Sequence, residues 1–325
     1  MRAVSAQILN TGGPEVISWQ EGALGPPGDG EVTLVHSAVG LNFIDTYHRS
    51  GIYPIELPGS LGLEAAGTIA AVGTGVTQFK EGDRVATLGP ERGAYASARN
   101  VAAASLFALP DFIDDRTATA SLLKGGTAEF LIERCAKVQA GWPVLVHAAA
   151  GGVGLLLVQW LKHIGATVIG TVGSAAKADL ARAAGADHVI LYRSEPVAAK
   201  VRELTGGKGV RVVFDGIGMA TWEASLDSLG MRGLLVSYGN ADAPVTGVAL
   251  AQLSNKGSLF VTRPTLFAYY ADPAERAAGA ERVWQMIGSG KITVTVGQTW
   301  PLREAAAAHR ALEARETTGS SLLIP

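Results

Sequence analysis

A strand that breaks into glycine constrains this chain more than any other feature. Val144-Leu145-Val146-His147-Ala148-Ala149-Ala150-Gly151-Gly152-Val153-Gly154 reads as a buried strand, a tight turn and the opening of a helix. Glycine at 151 and 152 lets the backbone approach a pyrophosphate, whose charge meets the amides and positive dipole end of the helix, and Gly154 lets helix and strand pack closely. Ala149 replaces the first glycine of the usual G-x-G-x-x-G. The competing reading, that the glycines only make a tight βα turn, is disfavoured by the rhythm around them.

That rhythm is strand, turn, helix: Val144–His147 then Val153–Ile164, Thr167–Thr171 then Lys177–Ala184, Val210–Asp215 then Thr221–Leu229, and Leu234–Ser237, with Gly257–Thr262 as one more strand. Such alternation implies right-handed crossovers and a parallel sheet, and the nearly all-apolar strands imply helices on both faces. The expected fold class is therefore α/β, a Rossmann-type doubly wound parallel sheet plus a mostly β domain. The latter spans Glu31–Val39, Ala65–Val72, Arg84–Thr87 and Ala94–Ala98, punctuated by glycines. Asp114–Val138 is helical in pattern, as are Asp272–Ile287 and Leu302–Arg315, and Ser321–Ile324 is a short apolar tail.

At 325 residues, 48% hydrophobic and 17% charged, the chain can bury two cores. With 29 acidic and 27 basic residues and no basic stripe, no nucleic-acid or anionic-membrane surface is expected. The apolar run Trp142–Leu161 is cut by Pro143 and the glycine turn, so a membrane span is not expected. The N-terminus turns polar at Asn10 before a signal-peptide core can form, and the single Cys135 suits a reducing compartment, so a cytoplasmic protein is expected.

The nucleotide is also legible. An NAD site places an acid after the second strand, about 20 residues past the glycines, to hold the ribose hydroxyls. Between Glu133 and Asp179 there is no carboxylate; Thr171-Val172-Gly173-Ser174 and Lys177 stand there instead. A 2′-phosphate is repelled by an acid and welcomed by a hydroxyl, amides and an ammonium group, so NADPH is the expected cofactor. Taken singly, Ser174 reads as a helix N-cap and Lys177 as a solvated helix residue.

With these residues in hand, the chain resembles the NADPH:quinone reductases of the medium-chain dehydrogenase/reductase superfamily, the group that includes zeta-crystallin. The likeness rests on Gly40-Leu41-Asn42-Phe43-Ile44-Asp45-Thr46-Tyr47, Ser50-Gly51-Ile52-Tyr53-Pro54, Gly62-Leu63-Glu64-Ala65-Ala66-Gly67, Leu123-Lys124-Gly125-Gly126-Thr127, the Ala148–Gly154 turn and the ending Gly319–Pro325. It implies a GroES-like substrate domain over 1–124, a dinucleotide domain over 125–262, a return of 263–325 to the substrate domain, and a homodimer. It implies further that Asn42 lies at the nicotinamide end and that Gly173, Ser174, Lys177 and Tyr192 surround the adenosine phosphate. Tyr238-Gly239-Asn240 with Thr262-Arg263 would contact the middle of the cofactor and the nicotinamide. Lys124, Thr127 and Arg315 complete the implied cofactor set with Gly151, Gly152, Val153 and Gly154.

The alcohol dehydrogenase Gly-His-Glu motif stands here as Gly62-Leu63-Glu64, so the imidazole ligand of its catalytic metal is gone, and one cysteine cannot make a structural zinc site. Without a metal to polarise oxygen, the substrate must already be electrophilic, and a quinone meets that condition. Tyr47 and Tyr53 are expected to wall the acceptor pocket beside the nicotinamide, one of them able to donate a hydrogen bond; packing in a turn-rich domain is the other account of both. Reduction of the carbon–carbon double bond of an enone is the nearest rival reaction, and a dinucleotide fold used for regulation or RNA binding is a rival of another class.

Overall fold

The computed structural model describes residues 1–325, which divide into one unit of Met1–Leu123 with Val294–Pro325 and a second of Lys124–Thr293. Residues 263–293, grouped with the first domain in the sequence reading, therefore lie with the second. The reason is packing. The helix Pro273–Gly288 brings Val283 against Gly125, where an added Cβ would sit 2.8 Å from Val283 Cγ1, and Arg282 bonds Glu133 at 2.9 Å.

In the first unit β1 (Arg2–Gln7) and β2 (Ser18–Ala23) form an antiparallel pair. The long strand β3 (Glu31–Leu41) leads into helix α1 (Phe43–Ser50), and β4 (Glu64–Val72), β5 (Arg84–Leu88), β6 (Ala98–Ala102) and β7 (Leu106–Ala108) follow. Asp45 Oδ2 accepts from Asn42 N at 2.8 Å to cap α1, and Gly51, at φ 85°, ends it. Val32, Leu34, Ile69, Val85 and Val101 make one core beneath this sheet. The strand read at Ala94–Ala98 begins only at Ala98, because Ala94–Ala96 instead span two neighbours: Ala6 N bonds Tyr95 O and Ser5 bridges Ala96.

Helix α2 (Asp115–Glu129) runs from the first unit into the second and ends in a wider turn, Phe130–Ala136. There β8 (Pro143–Val146), α3 (Gly152–Ile164), β9 (Thr167–Val172), α4 (Ala175–Ala183), β10 (His188–Leu191), α5 (Val197–Leu204), β11 (Val210–Asp215), α6 (Trp222–Ser228), β12 (Leu229–Ser237), α7 (Ala251–Asn255), β13 (Phe260–Thr262), α8 (Leu266–Tyr269) and α9 (Pro273–Gly288) follow in turn. The six strands are all parallel, in the order β10-β9-β8-β11-β12-β13. The chain winds outward one way from β8 and then the other way from β11, so the order reverses between these two, where open α/β sheets bind ligands. The edge strand β10 escaped the sequence reading because it is four residues long and only Ile190 is fully buried.

The chain then returns to the first unit as β14 (Val296–Pro301), α10 (Ala305–Glu313) and β15 (Ser320–Ile324). The apolar tail pairs antiparallel with β3, Ser321 opposite Leu41, and Leu302, Ala305, Ala308 and Leu312 pack with Val39, Leu41 and Tyr95.

Candidate functional site

The glycine turn is strained where it bends. After β8, Ala148 adopts φ 51°, a left-handed conformation that an L side chain tolerates at a cost, and Gly151 N closes the turn on Ala148 O at 2.9 Å. Gly151 is extended and offers no capping side chain, so the first amides of α3 are left for a ligand. An added Cβ at Gly154 would lie 2.2 Å from Ala148 O, which is why helix and turn approach only with glycine there. Val153 follows at the second position of the helix.

Beneath this turn lies a chain of buried polar groups. Asp215 Oδ2 accepts from Ser225 Oγ at 2.7 Å, so Ser225 in turn accepts from His147 Nε2 at 3.0 Å, and His147 Nδ1 accepts from Thr171 Oγ1 at 2.9 Å. Burial holds the imidazole below its ordinary pKa although the Asp215 charge opposes this, which keeps His147 neutral and fixes its tautomer. Asp215 Oδ1 also accepts from Ile217 N at 2.8 Å and Gly218 N at 3.2 Å. The line thus ties the ends of β8, β9 and β11 to the loop after β11. Sequence reasoning gave none of the four this role; the available signal was an acid at the end of an otherwise apolar strand.

The residues assigned to the adenosine phosphate do converge. An added Cβ at Gly173 would lie 2.7 Å from the Tyr192 hydroxyl, Ser174 caps α4 by accepting from Lys177 N at 3.4 Å, and Lys177 sits in its first turn. At the other side of the sheet, Tyr238 lies over Gly216, and Gly239 meets the Gly216 carbonyl so closely that a Cβ would stand 2.4 Å from it. With its amide turned to match its neighbours, Asn240 donates to Gly239 O at 2.9 Å and accepts from Arg263 Nη2 at 3.3 Å; Arg263 follows Thr262 at the end of β13. Lys124 and Thr127 are buried on α2.

The first unit holds the remaining assigned residues. Asn42 is buried and donates through Nδ2 to Glu64 Oε2 at 3.0 Å, while Glu64 Oε1 accepts from Leu123 N at 2.6 Å. Tyr47 on α1 and Tyr53 just beyond it meet edge to face, ring centres 5.2 Å apart, and Tyr53 N bonds Tyr47 O at 3.0 Å. Tyr95 donates to Asp45 Oδ2 at 3.2 Å and accepts from His309 Nε2 at 2.9 Å; His309 Nδ1 then accepts from Arg49, which is paired to Glu313. Burial and the Arg49 charge push His309 down to about 3. This second buried line fixes α1, and with it the tyrosine pair, against α10. Arg315 lies just past α10 at φ 61°.

Comparison with known proteins agrees with this geometry. Residues 28–132 match the alcohol dehydrogenase GroES-like domain and residues 152–272 match the zinc-binding dehydrogenase family. The quinone oxidoreductase of Salmonella typhimurium is 50% identical over 99% of this chain and 100% of its own. A 2-haloacrylate reductase of a Burkholderia species is 44% identical over 99% of both. The crystal structure of Escherichia coli quinone oxidoreductase complexed with NADPH superimposes with a TM-score of 0.97 at 47% identity, over 99% of this chain and 100% of that one.

Proposed function

The chain belongs to the quinone oxidoreductases of the medium-chain dehydrogenase/reductase superfamily, and from that premise we propose that it is an NADPH-dependent reductase of small quinones. The observation that carries the reading is the cradle at the end of β8. Gly154 is the one residue type that fits beneath Ala148 O, and Gly173 leaves room beneath the Tyr192 hydroxyl, so both ends of the cradle are kept open by missing Cβ atoms. In this reading the amides that follow Gly151, with Gly152, Val153 and Gly154, hold the pyrophosphate. Ser174, Lys177 and Tyr192 receive the 2′-phosphate where no acid repels it. Tyr238, Gly239, Asn240, Thr262 and Arg263 receive the middle of the cofactor, with Asn42, Lys124, Thr127 and Arg315 as further contacts.

When bound, NADPH supplies the reducing equivalents; the chain's own part is to hold donor and acceptor at reacting distance. Tyr47 and Tyr53 form the wall for the acceptor. Reduction of a quinone leaves an oxyanion that solvent can protonate, so a dedicated acid is optional. No metal enters this reading, because Leu63, wholly buried, stands where the alcohol dehydrogenases place an imidazole ligand.

The 2-haloacrylate reductase relative favours a second reading, reduction of an activated carbon–carbon double bond, which needs a proton delivered to carbon. Oxidation of NADPH by benzoquinones, naphthoquinones and small enones, with and without a chelator, separates the two. Chelator-insensitive turnover of quinones supports the first reading, and turnover confined to enones replaces it with the second. The reading also carries a cytoplasmic homodimer. The open sheet edge at β13, with Phe260 60% exposed, supports the dimer, and mass measurement in solution tests it. No helix is long and apolar enough to cross a membrane.

A further inference from the structure

Positive charge gathers in the first unit at a place the cofactor reading does not use. Arg92 lies in the loop before Gly93, whose amide is held by the carbonyls of Leu61 and Gly62, each at 3.0 Å. Arg99, in β6, folds back onto that loop, donating from Nη1 to Arg92 O at 3.3 Å and from Nη2 to Thr87 Oγ1 at 3.4 Å. Both acceptors are neutral. Nε of Arg92 and Nε of Arg99 are buried with no partner in the protein, and so is Nδ1 of His48 on α1. The acid whose charge bears on Arg99 is the exposed Glu91, which is not in ion-pair contact with it; burial brings the guanidinium down to about 10.

His48 joins this cluster to the tyrosine pair. Burial and the Arg92 charge hold its imidazole at about 4, so it is neutral and can donate a hydrogen bond without carrying charge. Its ring lies 6.0 Å from that of Tyr53, edge to face, and Tyr53 meets Tyr47 in the same way. Two half-buried guanidiniums whose Nε atoms are buried and that meet no carboxylate are left incompletely satisfied unless an anion completes them. Arg92 has its whole planar fork unclaimed and Arg99 has Nε, an arrangement matched by the two oxygens of a carboxylate.

We propose that Arg92 and Arg99, with His48, form an anion subsite beside Tyr53 that binds a carboxylate carried by the acceptor. This deepens the quinone-reductase reading and rests on Tyr47 and Tyr53 being the acceptor wall. The preferred substrate is then an electrophilic quinone or alkene bearing a carboxylate, not a neutral ring.

The test compares a benzoquinone carrying a short carboxylate side chain with its methyl ester, scored by kcat/KM for NADPH oxidation. The acid is expected to exceed the ester by at least about tenfold at low ionic strength, as one charge-assisted pair provides, with the advantage shrinking as salt is added. In Arg92→Leu the advantage is lost, and in Arg92→Lys it is partly restored. Equal use of acid and ester by the unaltered protein, or an advantage that survives in Arg92→Leu, overturns the subsite. If neither compound oxidises NADPH, the quinone reading fails separately, and titration calorimetry with benzoate decides the subsite. Binding to the unaltered protein that is absent in Arg92→Leu upholds it, and no binding overturns it.

Discussion

Two alanine substitutions in the glycine turn separate what it does for the fold from what it does for the cofactor. At Gly154 a methyl group would lie 2.2 Å from Ala148 O and 2.9 Å from two atoms of Ala149, all backbone. To reach ordinary contact α3 must retreat by about 1 Å, loosening the Leu155–Leu161 face that is packed into the core, at a cost of about 3 kcal/mol or more. At Gly151 the same methyl group meets only Ala148 O at 3.2 Å, and φ is −80°, so the fold accommodates it. Alanine is a poorer cap by about 0.5–1 kcal/mol, but it also restricts the unfolded chain by a similar amount, leaving a net change below about 1 kcal/mol. In the proposed reading its methyl group nevertheless stands where the pyrophosphate approaches. Urea unfolding and NADPH titration by nicotinamide fluorescence are the assays. Gly154→Ala is expected to lower the unfolding midpoint sharply; Gly151→Ala is expected to unfold near the unaltered midpoint while binding NADPH at least about tenfold more weakly, or roughly 1.4 kcal/mol. A Gly151→Ala protein that binds NADPH as well as the unaltered chain would refute the cradle and leave only a tight βα turn.

Other expectations follow from individual residues. Ala148→Gly relieves the left-handed strain at φ 51° and should raise stability by about 0.5–1 kcal/mol, read from the shift in urea midpoint. Tyr270→Phe removes a buried hydroxyl that has no partner and whose ring fills the space left by Gly126 and Gly279; a gain of about 1 kcal/mol in the same assay is expected, and a loss would mean the hydroxyl is satisfied in solution. His36 and His309 are both pushed from 6.5 to about 3 by burial, first of all, and by nearby arginines. Below pH 6.5 the unfolded chain therefore binds protons that the folded chain refuses, so their stabilisation is complete above 6.5 and is lost as pH falls toward 3. The two together steepen acid unfolding by at most about 3 kcal/mol per pH unit, and His309→Gln should remove about half of that slope.

Much of the second unit was legible because its chemistry is local. An apolar run, a glycine turn and a helix of the right length state a parallel sheet without reference to anything distant, and the missing acid after β9 speaks to the nucleotide in the same way. The first unit was harder. Helix α1 lies among residues that read as β-rich, and its signal was the Asn42–Asp45 cap and Gly51, not its Phe, Ile, Thr and Tyr. β1 is half-buried and β2 mostly exposed, and neither carries a sustained alternation. That Glu64 holds the amide of Asn42, and that Arg99 and His48 stand near Arg92, depends on contacts between residues well separated in the chain, which no local pattern contains. The place of His147 between Thr171 of β9 and Ser225 of α6 depends in the same way on two separate elements meeting the end of β8.

The central claim is that the cradle after β8 and the acid-free end of β9 make this chain an NADPH-dependent reductase of quinones. Its most direct test is the ratio of kcat/KM for NADPH and NADH with one benzoquinone, chelator present throughout, in the unaltered protein and in Lys177→Ala. Rapid turnover with NADPH strongly preferred, and that preference falling about tenfold in Lys177→Ala, is the result expected from one lost ammonium–phosphate contact. Equal use of the two nucleotides by the unaltered protein, or no turnover of the quinone with either, would contradict the account.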